Sequence, residues 1–256
     1  NYATYKDVYY ELPPGQDVYD TYYRNGDRVD KFYGSAFVRT QDGKIINDAA
    51  GKPISNPKSQ FLGYLNGKFQ WSIFNRFSYR GLGISFQFDG NVGGVTSDYL
   101  HNKTMRGGRN IETVQGAFGV ARKSDSENAG DTRDDADPNK YKGIYVGEGV
   151  QISNGASINY DGTTGAVLNY KDLQFAPNQT TTQVQDYISK YYGVTEANLM
   201  SKSFAKLREL SISYDLPASV LKKSFISKVT VSLVGRNLVY FYKDKRFKDV
   251  DLDQYN

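Results

Sequence analysis

The chain has 256 residues, with 32 lysines and arginines against 28 aspartates and glutamates, and its net charge of +4 is spread along its length; nothing in that balance points to a nucleic-acid partner. It has no cysteine, which excludes a disulfide scaffold and a cysteine-ligated metal, and no run of about 18 apolar residues, which excludes a transmembrane helix. A transmembrane barrel stays open, because its strands show only alternation, and 22 tyrosines, 14 phenylalanines and 25 glycines suit both β-structure and the aromatic girdles of such a barrel.

The chain opens on Asn1 with no charged-then-apolar leader, which reads as a mature or fragmentary sequence. Residues 1–12 alternate weakly through Val8, Tyr10 and Leu12 and stop at Pro13-Pro14-Gly15, the expected upper end of a strand entering a loop. Turn signals dominate residues 16–57: Asn25-Gly26-Asp27, Gln41-Asp42-Gly43-Lys44 and Ala50-Gly51-Lys52-Pro53, each expected as an ordinary hairpin tip. Residues 31–38 are expected to form a short strand between the first two.

The clearest periodicity follows. Phe69, Trp71, Ile73, Phe77 and Tyr79 share one parity, and Lys68, Gln70, Ser72, Arg76 and Ser78 the other. After Arg80-Gly81 the pattern restarts, with Leu82, Ile84, Phe86, Phe88 and Val92 against Ser85, Gln87, Asp89 and Asn91. Each run is close to the ~9–11 residues of a tilted membrane strand, and a tight turn between two such strands is the form of a periplasmic hairpin. A hairpin of a soluble sandwich has the same alternation, its apolar face being core. The placement of Trp71 and Tyr79 near opposite ends of the first strand matches interfacial belts and favours the barrel.

Gly93-Gly94 ends the hairpin, and no comparable strand pair follows before Ser203. So long a connection implies a folded excursion. Its aromatic content, with Phe118, Tyr141, Tyr145, Tyr160, Phe175, Tyr187, Tyr191 and Tyr192, predicts order, and Val184, Tyr187, Ile188 and Tyr191 predict a short helix within 182–192.

Catalytic and metal motifs are sparse. The one histidine, His101, has no serine or carboxylate at a motif spacing and is expected as an exposed loop residue. No phosphate-binding glycine loop or metalloprotease helix occurs, and no paired carboxylate motif supports a polysaccharide-degrading enzyme. Asp131, Asp134, Asp135 and Asp137 could ligate calcium, but Arg133 interrupts them and a solvated loop is expected. Lys243, Lys245, Arg246 and Lys248 are expected to mark a strand's exit into water. No cofactor is implied, and the protein is read as a non-enzyme.

From Leu210 the chain alternates again: Leu210, Ile212, Tyr214 and Leu216 against Ser211 and Ser213, ending at Pro217. A second strand returns over 228–238 as Lys-Val-Thr-Val-Ser-Leu-Val-Gly-Arg-Asn-Leu. Together, LREL-S-SY-LP followed by SLVGRNL resembles the near-C-terminal hairpin of SusC-like (SusC/RagA) TonB-dependent transporters, outer-membrane barrels of the Bacteroidota. The stretch Asp30-Lys31-Phe32-Tyr33-Gly34 with the turns after it, and Arg109-Asn110-Ile111-Glu112-Thr113, are similar to the same family.

The resemblance implies an all-β chain, part of a roughly 22-stranded antiparallel transmembrane β-barrel with long extracellular loops at about 13–67 and 93–202. It implies import of a glycan or peptide, a SusD-like surface lipoprotein as lid, and energy from TonB through an N-terminal plug. Plug and most barrel strands are absent here, so the chain is expected to be the C-terminal part of the barrel. Both short turns, at Arg80-Gly81 and Leu216-Pro217, are then periplasmic. The alternative is a soluble β-rich glycan-binding or adhesin module with a two-sheet core.

Under the barrel reading, Phe69, Trp71, Ile73, Phe86, Phe88, Leu210, Ile212 and Val231 are expected to face lipid. Arg208 has the parity of Leu210 and is expected on that same face, near an interface where its stem can snorkel to water. Glu209 and Arg236 are expected to face the lumen, paired with each other or holding the plug.

Overall fold

The computed structural model describes residues 8–10, 21–23, 28, 30–128, 141–222 and 225–246. The turns at Pro13-Pro14-Gly15 and Asn25-Gly26-Asp27, the aspartates at 131–137 and Lys248 lie outside the described residues. Among the described residues no helix is long and apolar enough to cross a membrane.

In chain order the strands are β1 (Val8–Tyr10), β2 (Thr21–Tyr23), β3 (Lys31–Gly34), β4 (Ile46–Asn47), β5 (Gln60–Tyr64), β6 (Phe69–Tyr79), β7 (Leu82–Val92) and β8 (Val95–Ser97). Helices α1 (Tyr99–Arg106) and α2 (Gly116–Asn128) follow, then β9 (Tyr145–Val146), β10 (Val150–Ile152), β11 (Phe175–Pro177), β12 (Thr181–Thr182) and α3 (Val184–Tyr191). The chain closes with β13 (Leu199–Ser201), β14 (Phe204–Asp215), α4 (Ala218–Leu221) and β15 (Thr230–Lys243). These elements divide into two compact units, Asn1–Gly63 with Ser97–Leu199, and Tyr64–Thr96 with Met200–Asn256.

The second unit is a four-stranded antiparallel sheet in the order β15-β14-β7-β6. Its strands run 11, 11, 12 and 14 residues for β6, β7, β14 and β15, at or beyond the ~9–11 needed to cross a bilayer at a tilt. The β6–β7 turn is two residues long, and both Arg80 (φ 47°) and Gly81 (φ 85°) are left-handed. That is the primed geometry whose twist matches the strands it joins. Beside it, the Asp215 amide donates to the Gly81 carbonyl at 2.8 Å, and the Leu216 amide to Val229 at 2.9 Å. The two-residue β6–β7 turn and the β14–β15 connection therefore sit at one end of the sheet; the second is not the short turn the sequence suggests but a 14-residue link, 216–229, that carries α4.

At the other end the chain leaves and re-enters through a set of roots. Gly93 and Gly94 take φ of 83° and 81°. The Asn91 side chain donates to the carbonyls of Gly93 and Lys202, each at 2.9 Å. The Lys202 amide donates to Gly94 at 2.9 Å, its ammonium to Leu65 at 3.1 Å, and the Gly93 amide to the Ser203 hydroxyl at 2.8 Å. Asp244, just past β15, accepts from the Ser201 amide at 3.0 Å and from Arg246 at 2.7 Å. Those bonds from Arg246, against the cost of burial, hold the Asp244 carboxyl down to about 2.

The first unit departs from the all-β expectation. Residues foreseen as two separate loops fold together around small cores. Val38, Ile46 and Val150 form one, lined by Ile54, Ile152, Val167 and Phe175. Phe37, Ile45 and Val194 form another with Tyr191; Met105, Ala121, Val184 and Ile188 form a third with Phe118, Tyr145 and Tyr192. β4 pairs in parallel with β10, Ile46 opposite Val150, and β10 pairs antiparallel with β11. The Glu196 carboxylate accepts from the Phe37 amide at 2.8 Å and from Arg39 at 2.8 Å. The turn at Gly43 (φ 88°) closes with the Thr40 amide on Lys44, and that at Gly51 (φ 74°) with the Asp48 amide on Lys52, as the sequence predicts.

The helix predicted within 182–192 is α3, which buries Val184, Tyr187 and Ile188. Its first amide is capped from a distance, by Asp125 of α2 at 2.7 Å. α1 and α2 were not foreseen, because neither carries much of an apolar stripe: each has one fully buried residue, Met105 and Ala121. α1 starts where Asp98 accepts from the His101 amide at 2.8 Å, the capping bond that satisfies an orphan donor.

A run of rings joins two of these cores: Phe37–Tyr191–Tyr187–Tyr145–Phe118, with centroids 4.8 to 5.7 Å apart. Burial first, and then the charge of neighbouring groups, pushes Tyr192 up to about 12 and raises Tyr145, Tyr187 and Tyr191. A phenol whose folded pKa lies above its usual value of about 10 adds stability that is complete below that pH and is lost as pH rises through the folded value. The first unit should therefore melt in the alkaline range, between about pH 10 and 12. Tyrosinate absorbance should rise there in a cooperative step that coincides with loss of helical circular dichroism. A smooth, non-cooperative rise centred on the ordinary phenol value would contradict the buried ring cluster.

Candidate functional site

The candidate site is the long sheet, because its two faces differ in chemistry: one is apolar apart from Asn75 opposite Phe86, and the other is largely polar, with Phe74 opposite Gln87 and Val234 opposite Ser211 as exceptions. Residues directly opposite each other in a ladder share a face. The register thus places Tyr79, Leu82, Tyr214 and Val231 in one row, Phe77, Ile84, Ile212 and Leu233 in the next, and then Phe86 and Leu210. Beyond these come Ile73 with Phe88 and Leu207, Trp71 with Gly90, and Phe69 with Val92. All eight residues named from the sequence as an apolar set, Phe69, Trp71, Ile73, Phe86, Phe88, Leu210, Ile212 and Val231, lie on this one face.

Phe77–Phe86, Phe86–Phe88 and Phe88–Phe241 pack side by side along it, centroids 5.5 to 6.0 Å apart. The Trp71 indole lies over Gly90, where an added Cβ would come within 2.3 Å of the ring. No second sheet covers the face among the described residues: Ile73 keeps 54% of its surface exposed and Leu233 75%. The expectation of a sandwich core thus finds no partner layer.

The opposite face is polar and bonded across the strands. Ser72 and Gln87 both donate to Asp89, each at 2.8 Å, and Arg208 donates to the second oxygen of Asp89 at 2.5 Å. Arg208 reaches on to the Asn237 side chain at 3.3 Å, which also accepts from Lys206 at 3.2 Å. Lys206 is fully buried, its ammonium over the rings of Phe204 and Tyr240. Arg236 donates to Glu209 at 3.0 Å, its direct cross-strand partner. The two residues named from the sequence as a polar pair are therefore joined on this face.

Arg208 corrects the parity argument. The register shifts between Leu207 and Glu209 on both ladders, a β-bulge, with Asn237 left-handed opposite it (φ 52°). A bulge inserts one residue and re-aims the side chains beyond it. Arg208 thereby joins Asp89 on the polar face instead of sharing the apolar face with Leu210, and it has no need to snorkel. Counting residues by twos cannot show this; the asparagine after Gly235-Arg236 is the one signal, since asparagine tolerates the left-handed region.

In the first unit no catalytic arrangement appears among the described residues, and no group of three or more metal-ligating side chains gathers there. His101 is not an exposed loop residue. It lies in α1, half-buried, with Nε2 3.5 Å from the Glu112 carboxylate and its ring edge-on to Tyr192. Arg109-Asn110-Ile111-Glu112-Thr113 forms a tight turn: Asn110 caps the Glu112 amide at 3.0 Å and Thr113 is fully buried. Its role in the fold is structural.

No family model and no curated protein matches the chain. Among solved structures, it is similar to chains of the RagAB peptide importer in its "closed-closed" state, at 15% identity and a TM-score of 0.45, over 91% of this chain. The "open-open" state of the same importer gives 16% identity and 0.45 over 93%, and a further RagAB peptide transporter structure 14% and 0.42 over 90%. The chain spans about a fifth of the length of those chains, 21% in each case. At these values the likeness carries no argument, and the function is argued from the sheet itself.

The polar network makes a specific demand. Replacing Arg208 with methionine leaves Asp89 as a largely enclosed carboxylate held only by Ser72 and Gln87, and should destabilise the sheet by about 1–3 kcal/mol. Asp89→Asn combined with Arg208→Met should recover part of that loss. Unfolding in urea of the two variants and their combination checks it: strict additivity would show that the pair is not coupled.

Proposed function

We propose that this chain forms part of the wall of an outer-membrane transporter of the SusC-like, TonB-dependent class, which imports a nutrient, either a glycan or a peptide. The observation that carries the reading is the exposed apolar face on strands of membrane length, backed by a polar hydrogen-bonded face. In water such a face would be an aggregation hazard; against lipid chains it is the outer surface of a barrel, with the polar face turned to the lumen. The sequence resemblance of the β14–β15 hairpin to the same class is independent of that geometry.

Four strands do not close a barrel. Among the described residues β6 and β15 each have only one neighbour in the sheet, and an unpaired strand edge is not tolerated in hydrocarbon. Further strands of the transporter pair with them in this reading, and a plug domain fills the lumen and meets TonB. Glu209 and Arg236 then stand on the lumenal side, as barrel-wall or plug contacts. The end with the Arg80-Gly81 turn and the β14–β15 connection is periplasmic. The excursions leave from the opposite, outer end, where a SusD-like surface lipoprotein closes over them.

Two expected outcomes test this. Within the complete transporter in bilayers, any tryptophan other than Trp71 being replaced by phenylalanine, Trp71 fluorescence should be quenched by brominated lipid, a signal that vanishes in Trp71→Phe. Phe86→Arg and Ile212→Arg should each cost ~2–4 kcal/mol of assembly if they lie near the midplane, read as loss of heat-resistant migration of the folded barrel. Full tolerance of both arginines would refute the lipid-facing assignment. Separately, deleting residues 145–182 should leave the barrel assembled but abolish uptake and lid binding; unchanged uptake would make the first unit dispensable for transport.

A further inference from the structure

The connection between β14 and β15 is built unlike a water-exposed turn. It runs through α4 and carries Val220, 65% exposed, Phe225, 100% exposed, and the exposed Ile226. Three bulky apolar side chains within seven residues are a poor choice for a periplasmic loop in water. They alternate with cations: between residues 213 and 230 the sequence holds Lys222, Lys223 and Lys228 and a single acid, Asp215. Asp215 is already engaged, by Lys228 at 3.2 Å and by Thr230 at 2.6 Å.

The neighbouring turn repeats the pattern. Tyr79 is exposed at the end of the apolar face, and the Arg80 guanidinium lies over its ring, 5.3 Å from the centroid. Tyr214 and Leu82 end their strands in the same row. An apolar group flanked by flexible cations is the composition of an interfacial anchor, in which the rings enter the headgroup–acyl boundary and the cations meet lipid phosphate.

We propose that the β14–β15 connection, with the Tyr79–Arg80 corner, is a membrane-interface anchor. Phe225 and Val220 enter the leaflet on the short-turn side, and Lys222 and Arg80 engage the phosphates of anionic phospholipids. This rests on the barrel reading above and extends it from the strands to the turns. The partner is set by charge: the anchor offers cations and rings, so it fits a layer that is negative at its surface and apolar beneath.

The test uses the complete transporter in vesicles of phosphatidylcholine, with or without phosphatidylglycerol, any cysteine outside these residues being replaced by serine. Phe225→Cys, Leu233→Cys on the apolar face and Ala50→Cys in the exposed turn at Gly51 are each labelled with an environment-sensitive fluorophore. The label at 225 should be quenched by lipid carrying a shallow spin label, more strongly with phosphatidylglycerol present, and be protected from aqueous iodide. The label at 50 should behave oppositely. In Phe225→Cys/Lys222→Ser, the preference for phosphatidylglycerol should fall about fivefold, the equivalent of about 1 kcal/mol per cation at an anionic surface.

Open access of the label at 225 to iodide would overturn the proposal. So would shielding from both quenchers, which would mean that protein covers the loop instead. In either case lipid quenching at 233 would show that the barrel reading stands, whereas its absence at 233 would show that the barrel reading itself has failed.

Discussion

The second unit depends on one constraint: a broad apolar surface on a single-layer sheet that no other layer covers among the described residues. A soluble domain buries one face of each sheet against another layer, because removing apolar area from water drives its folding at roughly 25 cal/mol per Å². Here that term cannot come from the protein's own packing on the Phe77–Leu233 side. In the proposed barrel reading the lipid supplies it instead. In that reading the strand lengths and the aromatic rows follow from the same requirement.

A sheet whose apolar face finds no partner layer in the protein has to organise itself from the other face. In the second unit this falls to the polar network, in which Asp89, Arg208, Asn237 and Lys206 link β7, β14 and β15 and Ser72 extends it to β6. Low-dielectric surroundings strengthen such bonds and raise the cost of any member left unpaired. The bulge at Arg208 belongs to this arrangement. Without it a guanidinium would stand among Phe86, Phe88 and Leu210, where no acceptor is available.

Much of the sheet was legible in the sequence because period-two alternation is a direct record of two unlike faces. Most of Phe69 to Val92 could be read this way, as could Leu210 to Tyr214, while Phe74 and Asn75 break the alternation and took no face from it; the same parity put Glu209 and Arg236 on one face, where they pair. The failure at Arg208 has the same origin: alternation assumes an unbroken ladder, and a single inserted residue reverses it. The first unit was largely illegible for another reason. Its joining elements are two- and three-residue strands, β4 on β10 and β10 on β11, together with side-chain bonds such as Glu196 to Phe37 and Asn47 to the Glu148 carbonyl at 2.9 Å. Such short pieces have no period to detect. α3 was visible since it buries a continuous stripe; α1 and α2 were not since each buries so little.

The roots of the sheet bear on how such a chain can change. β7 and β14 are pinned to each other at both ends, by the Asp215–Gly81 bond below and by the Asn91, Gly94 and Lys202 bonds above. A one-residue slip would exchange the faces of a strand, and these two anchors forbid it whatever lies between Gly94 and Lys202. The closure entropy of a connection grows only slowly with its length. Insertions and deletions in that excursion therefore leave the strand parity untouched, and the connection can change in length and composition while the register of β7 on β14 is kept.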